Sequence, residues 1–144
     1  MKTSQAGIAL IKEHEGYRNE VYKDSAGYDT IGYGHLVKSG ERFTRITPQE
    51  GEALLRDDLV EAEGAVSRLV KTTLTQHEFD ALVSFVFNLG GGSLAKSTML
   101  KLLNKGMHYA AAQEFTKWVF AGGKKLRGLI KRREAEKQLF LTKE

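Results

Sequence analysis

The sequence predicts an α+β fold with a small β lobe near the N-terminus, a long connecting helix and an all-helical C-terminal lobe. Residues 17–37 are rich in Tyr, Val, Thr and Ile and are punctuated by glycines, as in a small antiparallel sheet. Residues 47–50 read Thr-Pro-Gln-Glu, a helix-start pattern. Beyond residue 70, apolar residues recur at helical spacing between glycine breaks. We expect one domain, with the β lobe at residues 15–46, the connecting helix at 48–70, and the helical lobe at 71–144 completed by a first helix at 3–14.

The first predicted helix ends at an acidic residue. Thr3 or Ser4 can cap its start, and apolar side chains alternate with Lys and Glu along it. Gly16 stands where a C-terminal cap is expected. Glu15 is therefore placed at a helix C-terminus.

Recognisable turn and start signals delimit the next elements. The run Asp24-Ser25-Ala26-Gly27 is typical of a turn between two strands. A helix is then expected from Pro48 to about Val70. Gly51 and Gly64 each weaken this helix by about 1 kcal/mol relative to Ala, yet leucines and valines still form an apolar stripe along it.

The helical lobe begins with a second capping-box pattern, Thr75-Gln76-His77-Glu78. Apolar residues then recur at helical spacing up to residue 89, which predicts a core helix that Gly90-Gly91-Gly92 stops. Three shorter helices are predicted after it, separated by Gly106 and by Gly122-Gly123, at residues 97–105, 108–118 and 124–141.

Composition excludes several kinds of site. The 144 residues contain no Cys, so neither a disulfide framework nor a thiolate metal ligand or nucleophile is available. The four histidines are scattered and do not form an H-E-x-x-H pattern, which argues against a zinc enzyme. We therefore expect no metal and no cofactor.

The sequence gives no membrane signal. The longest apolar run near the N-terminus, Ala6 to Ile11, is far below the roughly 20 residues that a membrane span needs. A basic start, an apolar stretch and a small-residue cleavage site do not occur together, so a signal peptide is not expected. We expect no stable membrane insertion, accumulation in the cytoplasm of the producing cell, and a monomer.

The net charge of +4 comes largely from the C-terminal third. We interpret this basic block as a solvated helix face, as a patch that binds the anionic bacterial wall, or as a nucleic-acid contact. No helix-turn-helix, zinc or aromatic-basic motif accompanies the charge, so nucleic acid is not an expected partner. The basic block consists of Lys124, Lys125, Arg127, Lys131, Arg132, Arg133 and Lys137.

Two carboxyl groups and a hydroxyl suit the hydrolysis of a glycosidic bond. That reaction needs a protonated acid at the leaving oxygen and an ionised carboxylate that attacks or activates water. Glu15, at the negative end of a helix beside an apolar segment, suits the neutral acid. Asp24, in a polar turn, suits the charged partner, and Thr30 can hold a water against it. Taken singly, an acid at a helix end is more often a cap or ion-pair partner, and an Asp in a turn is more often a turn former.

The combination of these residues is more specific than any one of them. The pattern Glu15-x8-Asp24-x5-Thr30 lies within E-G-Y-R-N-E-V-Y-K-D-S-A-G-Y-D-T-I-G-Y-G-H, which closely resembles the active-site segment of the phage-type lysozymes, glycoside hydrolase family 24. The resemblance implies a lysozyme-like fold with a substrate cleft between two lobes. It extends over nearly the whole chain, through Phe87-Asn88-Leu89-Gly90, Trp118 and residues 128–134.

The resemblance also implies an activity. It is that of an endolysin, a muramidase that cuts the β-1,4 bond between N-acetylmuramic acid and N-acetylglucosamine in the glycan strands of peptidoglycan and so lyses the bacterial host. Glu15 would be the proton donor, Asp24 the carboxylate that activates water or acts as nucleophile, and Thr30 the residue that positions the water. The enzyme would reach the periplasm and cell wall from the host cytoplasm through a holin-type membrane lesion.

Three further positions resemble residues that bind substrate in that family. Leu36 and Phe87 resemble cleft-wall residues that contact sugar, and Thr98, with Ser97 beside it, resembles a polar contact from the far lobe. Phe87 is equally consistent with a core aromatic of the helix that ends at residue 89.

Other residues are expected to support the site rather than to react. His35 resembles a family histidine that pairs with an acid on the connecting helix, here Asp58, in a structural ion pair. One cation is expected near Glu15, with Lys124 and Arg127 as the candidates. Aromatic side chains can stack on sugars, but most are expected to be packing; they are Tyr17, Tyr22, Tyr28, Tyr33 and Trp118.

Two other functions remain open from the sequence. A lytic transglycosylase attacks the same bond with one catalytic carboxylate and leaves an anhydro sugar, and Asp24 at this spacing argues against it. A non-enzymatic cationic protein would disrupt walls or membranes through residues 124–137, and its effect would survive Glu15→Gln.

Overall fold

The computed structural model describes residues 1–143 and has the expected α+β architecture. A three-stranded sheet and a separate two-stranded hairpin accompany seven helices within the described residues, and a short 3₁₀ turn covers Phe115–Lys117. In chain order the elements are α1 Gln5–Glu15, β1 Arg18–Lys23, β2 Asp29–Gly32, β3 His35–Leu36, α2 Pro48–Leu69, α3 Gln76–Leu89, α4 Gly91–Lys96, α5 Thr98–Asn104, α6 His108–Gln113, β4 Phe120–Ala121, β5 Lys124–Lys125 and α7 Arg127–Leu141.

The sheet of the β lobe is antiparallel, with strand order β1-β2-β3. Its first turn is closed by a side chain, because Asp24 Oδ1 accepts hydrogen bonds of 2.9 Å from the backbone N–H groups of both Ala26 and Tyr28. The Asp24 N–H in turn donates to the Tyr28 carbonyl. The predicted turn therefore fixes both the backbone and the carboxylate of Asp24.

The connecting helix α2 begins as the sequence predicts. The Thr47 hydroxyl accepts from the Glu50 N–H, and the Glu50 carboxylate accepts from the Thr47 N–H, so both halves of the capping box are formed. Gly51, in the first turn of α2, lies against the rings of Tyr17 and Tyr33. This close contact joins α2 to the start of the β lobe.

Helix α3 forms the centre of the helical lobe. Every residue from Phe79 to Val86 is buried, and α1, α2, α4 and α7 all pack on this helix. The core therefore brings the C-terminal end of the chain against the first helix. Fully buried large side chains include Ile8, Ile11, Leu55, Leu59, Phe79, Leu82, Phe85, Leu94, Met99 and Phe115.

The structure corrects three details of the helix prediction. Residues 124–125, expected to begin the last helix, form strand β5, which pairs with β4 around Gly122-Gly123, and α7 begins at Arg127. The helix expected at 108–118 ends at Gln113, because a 3₁₀ turn follows it. Gly91-Gly92, expected only to stop a helix, also begin the short helix α4.

The start of α1 differs from expectation as well. Ser4 is the N-cap residue by position, but neither it nor Thr3 caps the helix with its side chain. The Ser4 hydroxyl donates to the buried Asp80 of α3, and the Thr3 hydroxyl donates to Glu63 of α2 at 2.7 Å. Contacts with other helices thus replace the local cap. Within residues 1–143, no helix combines the length and apolar character needed to cross a membrane.

Candidate active site

Glu15 is the last residue of α1 and lies beside the β lobe. The following residue, Gly16, has a positive φ of 74°, which turns the chain out of the helix. Gly34, between β2 and β3, approaches the Glu15 carboxyl so closely that a Cβ at position 34 would be 2.9 Å from Glu15 Oε1. The side chain of Glu15 is thereby held at the junction of the two lobes.

An arginine of the last helix holds the other oxygen of this carboxyl. The Nη1 of Arg132 donates to Glu15 Oε2 at 2.8 Å. The expectation that Lys124 or Arg127 would supply this cation is wrong: both are exposed, and neither makes an ion pair within the described residues. The cation belongs to the basic block but lies one to two turns further along the chain.

Arg132 is itself fixed by a buried network. Its Nε donates to Glu136 Oε2 at 3.3 Å, and its Nη2 donates to the Ser84 carbonyl at 3.3 Å. Arg133 donates to Glu136 Oε1 at 2.5 Å and to the side chain of Asn88. Because Arg132, Arg133 and Glu136 are all at most 3% exposed, their charges stabilise one another in place of water.

Asp24 and Thr30 both bind the backbone of one residue of the β lobe, Tyr28. The Tyr28 N–H donates to Asp24 Oδ1, and the Tyr28 carbonyl accepts from the Thr30 hydroxyl at 2.9 Å. Thr30 is only 2% exposed and is not among the residues that line the cleft described next. Its hydroxyl proton is committed to the backbone, so its oxygen remains available as an acceptor.

A cleft of about 750 Å³ lies between the two lobes, and Glu15 and Asp24 both line it. Leu36 and Phe87 line it too, and Phe87 also packs on the hydrophobic core. The contact of either residue with sugar stays a prediction. Thr98 is exposed at the start of α5 and is not among the lining residues. The remaining lining residues are Gly34, Val37, Lys38, Asp58, Glu61 and Asn88.

Comparison with known proteins decides the family. The family model for phage lysozyme matches residues 12–136, which include Glu15, the β lobe and Arg132. This chain belongs to the phage lysozyme family.

This member of the family is similar to the endolysin of Salmonella phage P22, with 41% identity over 99% of each chain. It is also similar to the endolysin of Bacillus phage B103, with 49% identity over the whole of this chain. The chain spans only 56% of the B103 endolysin and 55% of the Bacillus phage PZA endolysin. Its fold matches a crystal structure of a P22 lysozyme mutant, with a TM-score of 0.91 at 39% identity, and the muramidase domain of SpmX from Asticaccaulis excentricus, with a TM-score of 0.88 at 43% identity, each over 99% of both chains. The lysozyme-like fold is therefore confirmed.

The expected contact between His35 and Asp58 is present in this family member, and His35 also contacts Glu41. His35 Nδ1 lies 2.9 Å from Asp58 Oδ2 on α2, and His35 Nε2 lies 2.9 Å from Glu41 Oε1 in the loop before α2. Burial lowers the pKa of His35, but the hydrogen bonds to Glu41 and Asp58 outweigh it, so the net pKa is raised. Glu41 was not expected as a partner, because it lies six residues after the histidine in an irregular loop that carries no sequence pattern.

Most of the aromatic candidates serve as packing. The ring of Tyr17 lies 4.9 Å from that of Tyr33, and its hydroxyl donates to the Ile46 carbonyl. Trp118 packs edge-on against Phe85 at 5.4 Å between ring centroids. Within residues 1–143, no cluster of three or more His, Cys, Asp or Glu side chains has an arrangement that would hold a metal ion.

Proposed function

We propose that this chain is an endolysin-type muramidase that hydrolyses the β-1,4 bond between N-acetylmuramic acid and N-acetylglucosamine in peptidoglycan. The observation that carries the proposal is that Glu15 and Asp24 line one cleft in a member of the phage lysozyme family. Two carboxyl groups on either side of a scissile bond are what glycoside hydrolysis requires. The names of the relatives, endolysin and muramidase domain, support the same substrate.

Glu15 acts as the proton donor. Arg132 holds Oε2, while Oε1 has no hydrogen-bond partner among residues 1–143 and lies beside Gly34, which lines the cleft. A proton on Oε1 can therefore pass to the glycosidic oxygen as the bond to the leaving sugar breaks.

Asp24 lies on the other side of the cleft from Glu15 in the proposed mechanism. It activates a water that attacks the anomeric carbon, or attacks that carbon itself. Two backbone N–H groups occupy its Oδ1, and its Oδ2 has no hydrogen-bond partner within the described residues. A water bound at Oδ2 gives a proton to the carboxylate as it attacks; in the alternative route the carboxylate itself is the nucleophile. Thr30 positions the water by accepting a hydrogen bond at its hydroxyl oxygen.

The glycan strand binds along the cleft, with Leu36 and Phe87 contacting sugar faces. Leu36 is 52% exposed, so a sugar ring that covers it removes apolar surface from water. Thr98 remains a prediction for a strand that extends beyond the cleft to α5. The chain acts as a monomer on peptidoglycan, without nucleic acid, after holin-type release from the cytoplasm of the producing host.

Turnover of purified peptidoglycan tests the proposal. We expect Glu15→Gln to fold and to lose at least about 100-fold in the rate at which reducing sugar ends are released, as for loss of a general acid. Asp24→Asn and Thr30→Ala should also be severely impaired. The matched controls are Glu13→Gln, on the exposed side of α1, and Asp29→Asn, in β2, which should stay near the parent rate.

Two results would contradict the proposal in different ways. Anhydromuramic ends without reducing ends, seen by mass spectrometry, would identify a lytic transglycosylase. Undiminished lysis of permeabilised cells by Glu15→Gln would identify a cationic disruptor that acts through residues 124–137.

A further inference from the structure

We propose that Lys38, which follows strand β3 on the β-lobe wall of the cleft, binds a carboxylate carried by the muramic acid of the glycan strand. This inference rests on the proposed function, because it concerns the same substrate in the same cleft. It adds a residue that determines specificity, since Lys38 would favour a sugar that bears a carboxylate over a neutral one.

Lys38 is the one basic side chain among the described residues that line the cleft. It is exposed, and its ammonium group makes no ion pair or hydrogen bond within residues 1–143. The carboxylates of Asp58 and Glu41 both bind His35 instead. The positive charge of Lys38 is therefore available to a ligand in the cleft.

The backbone of Lys38 is fixed although its side chain is free. Its N–H donates to Glu41 Oε1 at 2.7 Å, and its carbonyl accepts from the Glu41 N–H at 3.0 Å. The same Glu41 oxygen lies 2.9 Å from Nε2 of the buried His35. The N–H of the preceding Val37 donates to the Asp29 carbonyl at 2.9 Å. These contacts hold the origin of the lysine side chain at one place on the cleft wall.

The other charged groups that line the cleft are carboxyl groups. Arg132 pairs with Glu15 and His35 pairs with Asp58, whereas Asp24 and Glu61 have no cationic partner within residues 1–143. An anionic substituent meets repulsion beside these two acids and attraction at Lys38. The charge pattern of the cleft thus directs a carboxylate of the substrate towards the β-lobe wall.

The proposed substrate carries a carboxylate on every second sugar. The two sugars of the strand have similar rings, but muramic acid bears a lactyl ether that ends in a carboxyl group. Apolar contacts such as the one proposed for Leu36 cannot distinguish similar rings, whereas an ammonium group forms a charge-assisted hydrogen bond with a carboxylate.

Two sources can supply this carboxylate. In a strand without peptides, the lactyl group itself is ionised. In a strand with stem peptides, the lactyl carbonyl is part of an amide, and the carboxylates belong to the peptide that it carries. Both sources place a carboxylate on the same arm of muramic acid, and the experiment distinguishes them.

Binding of soluble, uncrosslinked glycan strands, measured by calorimetry, tests the proposal. The protein carries Glu15→Gln throughout, so that strands are not cut during the measurement. Four probes are needed: strands without peptides and strands with peptides, each with free carboxylates and with the carboxylates converted to carboxamides. In this background, Lys38→Gln removes the charge and Lys38→Arg keeps it. Lys105→Gln controls for net charge, because Lys105 is an exposed lysine of the helical lobe that does not line the cleft.

For the Glu15→Gln protein, we expect conversion to carboxamides to raise Kd by about three- to fivefold, as for a solvent-exposed ion pair. Lys38→Gln should weaken binding of the carboxylate form by the same factor and abolish the response to conversion. Lys38→Arg and Lys105→Gln should keep that response. A response in strands without peptides would assign the lactyl carboxylate, and a response confined to strands with peptides would assign a carboxylate of the peptide.

An undiminished response in Lys38→Gln would overturn the proposal, because the discrimination would then reside elsewhere in the protein. Equal affinity of the Glu15→Gln protein for carboxylate and carboxamide strands would overturn it as well. Binding is measured without turnover, so this result does not depend on the proposed muramidase activity. Failure of that activity would be recognised separately, from the absence of reducing ends when the unmodified chain is incubated with peptidoglycan.

Discussion

Single atoms decide how the carboxyl group of Glu15 is presented. Gly34 stands against its Oε1, and Arg132 holds its Oε2. Any side chain at position 34 would displace the carboxyl, even though the residue itself carries no reactive group. The position of the Glu15 carboxyl thus depends on the absence of a side chain at Gly34 as well as on the ion pair with Arg132.

Gly34→Ala should reduce peptidoglycan turnover by at least about tenfold, because misplacement of a reacting group by a fraction of an ångström is costly. The added Cβ would lie 2.9 Å from Glu15 Oε1. Gly40→Ala is the matched control, since Gly40 also has a positive φ, 90° against 84°, but has no atom within 4 Å of an added Cβ.

Both alanine variants should lose about 1–2 kcal/mol of unfolding free energy from backbone strain, measured by denaturant titration. Only Gly34→Ala should lose activity beyond that shared effect. Equal turnover by the two variants would mean that Gly34 does not control the position of Glu15.

The two proposed catalytic carboxyl groups could be predicted because they are close in sequence. Glu15 and Asp24 belong to one short segment, and the structure places both on one cleft. Arg132 was missed because it is 117 residues from Glu15. Several cations surround it, and only the packing of α7 on α3 and α1 determines which of them faces inward.

At the scale of elements, α2 shows that two glycines in one helix have opposite roles. Gly51 is buried against the β lobe, and a Cβ there would be 2.9 Å from the ring of Tyr17 and 3.3 Å from that of Tyr33. Gly64 has open space where a Cβ would be. The first glycine permits the approach of two elements, whereas the second only weakens the helix.

Gly64→Ala should therefore raise the free energy of unfolding by about 0.5–1 kcal/mol, because alanine favours the helix and restricts the unfolded chain. Gly51→Ala should lower it, since a ring must move to admit the methyl group. Chemical denaturation of both variants measures the difference. A stabilising Gly51→Ala would show that the contact of α2 with the β lobe is loose.

The predicted helix starts were confirmed where the sequence carries a strong local capping pattern. The capping boxes at Thr47 and Thr75 gave the starts of α2 and α3, because their hydrogen bonds involve residues only three apart. Strand β5 was predicted as the start of the last helix, because a two-residue strand carries too little pattern to compete with a run of helix-forming Lys and Leu. Likewise, the side-chain cap of α1 failed because Ser4 binds Asp80, a contact made across the fold.

At the scale of the whole molecule, His35 joins the β lobe to α2. Its two ring nitrogens face Asp58 and Glu41, and its side chain is buried. Burial lowers the pKa of His35, but the two carboxylates together raise it above the ordinary value of 6.5. The interaction of His35 with Asp58 and Glu41 is therefore strongest when the imidazole is protonated.

This raised pKa fixes the sign of a pH effect. A group with a raised folded-state pKa stabilises the fold fully below its unfolded pKa, here about 6.5, and loses that contribution as the pH rises through the folded-state pKa. The His35 contribution to the free energy of unfolding should thus decline above pH 6.5. We expect thermal unfolding of His35→Asn to be less sensitive to pH in this range than that of the parent.

His14 provides a control of opposite sign. Burial, followed by the nearby charge of Arg132, lowers the pKa of His14, so its contribution to stability is present above pH 6.5 and is lost as the pH falls from there through the lower folded-state pKa. His14→Asn should therefore change the pH dependence on the acidic side only. If the unfolding stability of the parent protein and that of His35→Asn changed in parallel between pH 6 and pH 9, the contacts of His35 with Asp58 and Glu41 would not be the source of the pH dependence.

The ion pair between Arg132 and Glu15 joins the first helix to the last helix, α7. The order in which these helices are synthesised therefore affects when the ion pair can form. During synthesis, the ribosome delivers the opening helix long before residue 132 emerges, and domains fold as units once their segments are available. Until α7 has docked, the proposed acid lacks the guanidinium that orients it. A polypeptide that ends before residue 132 would lack this orienting contact, so we expect it to be inactive in the proposed hydrolysis even where Glu15 and Asp24 are both present.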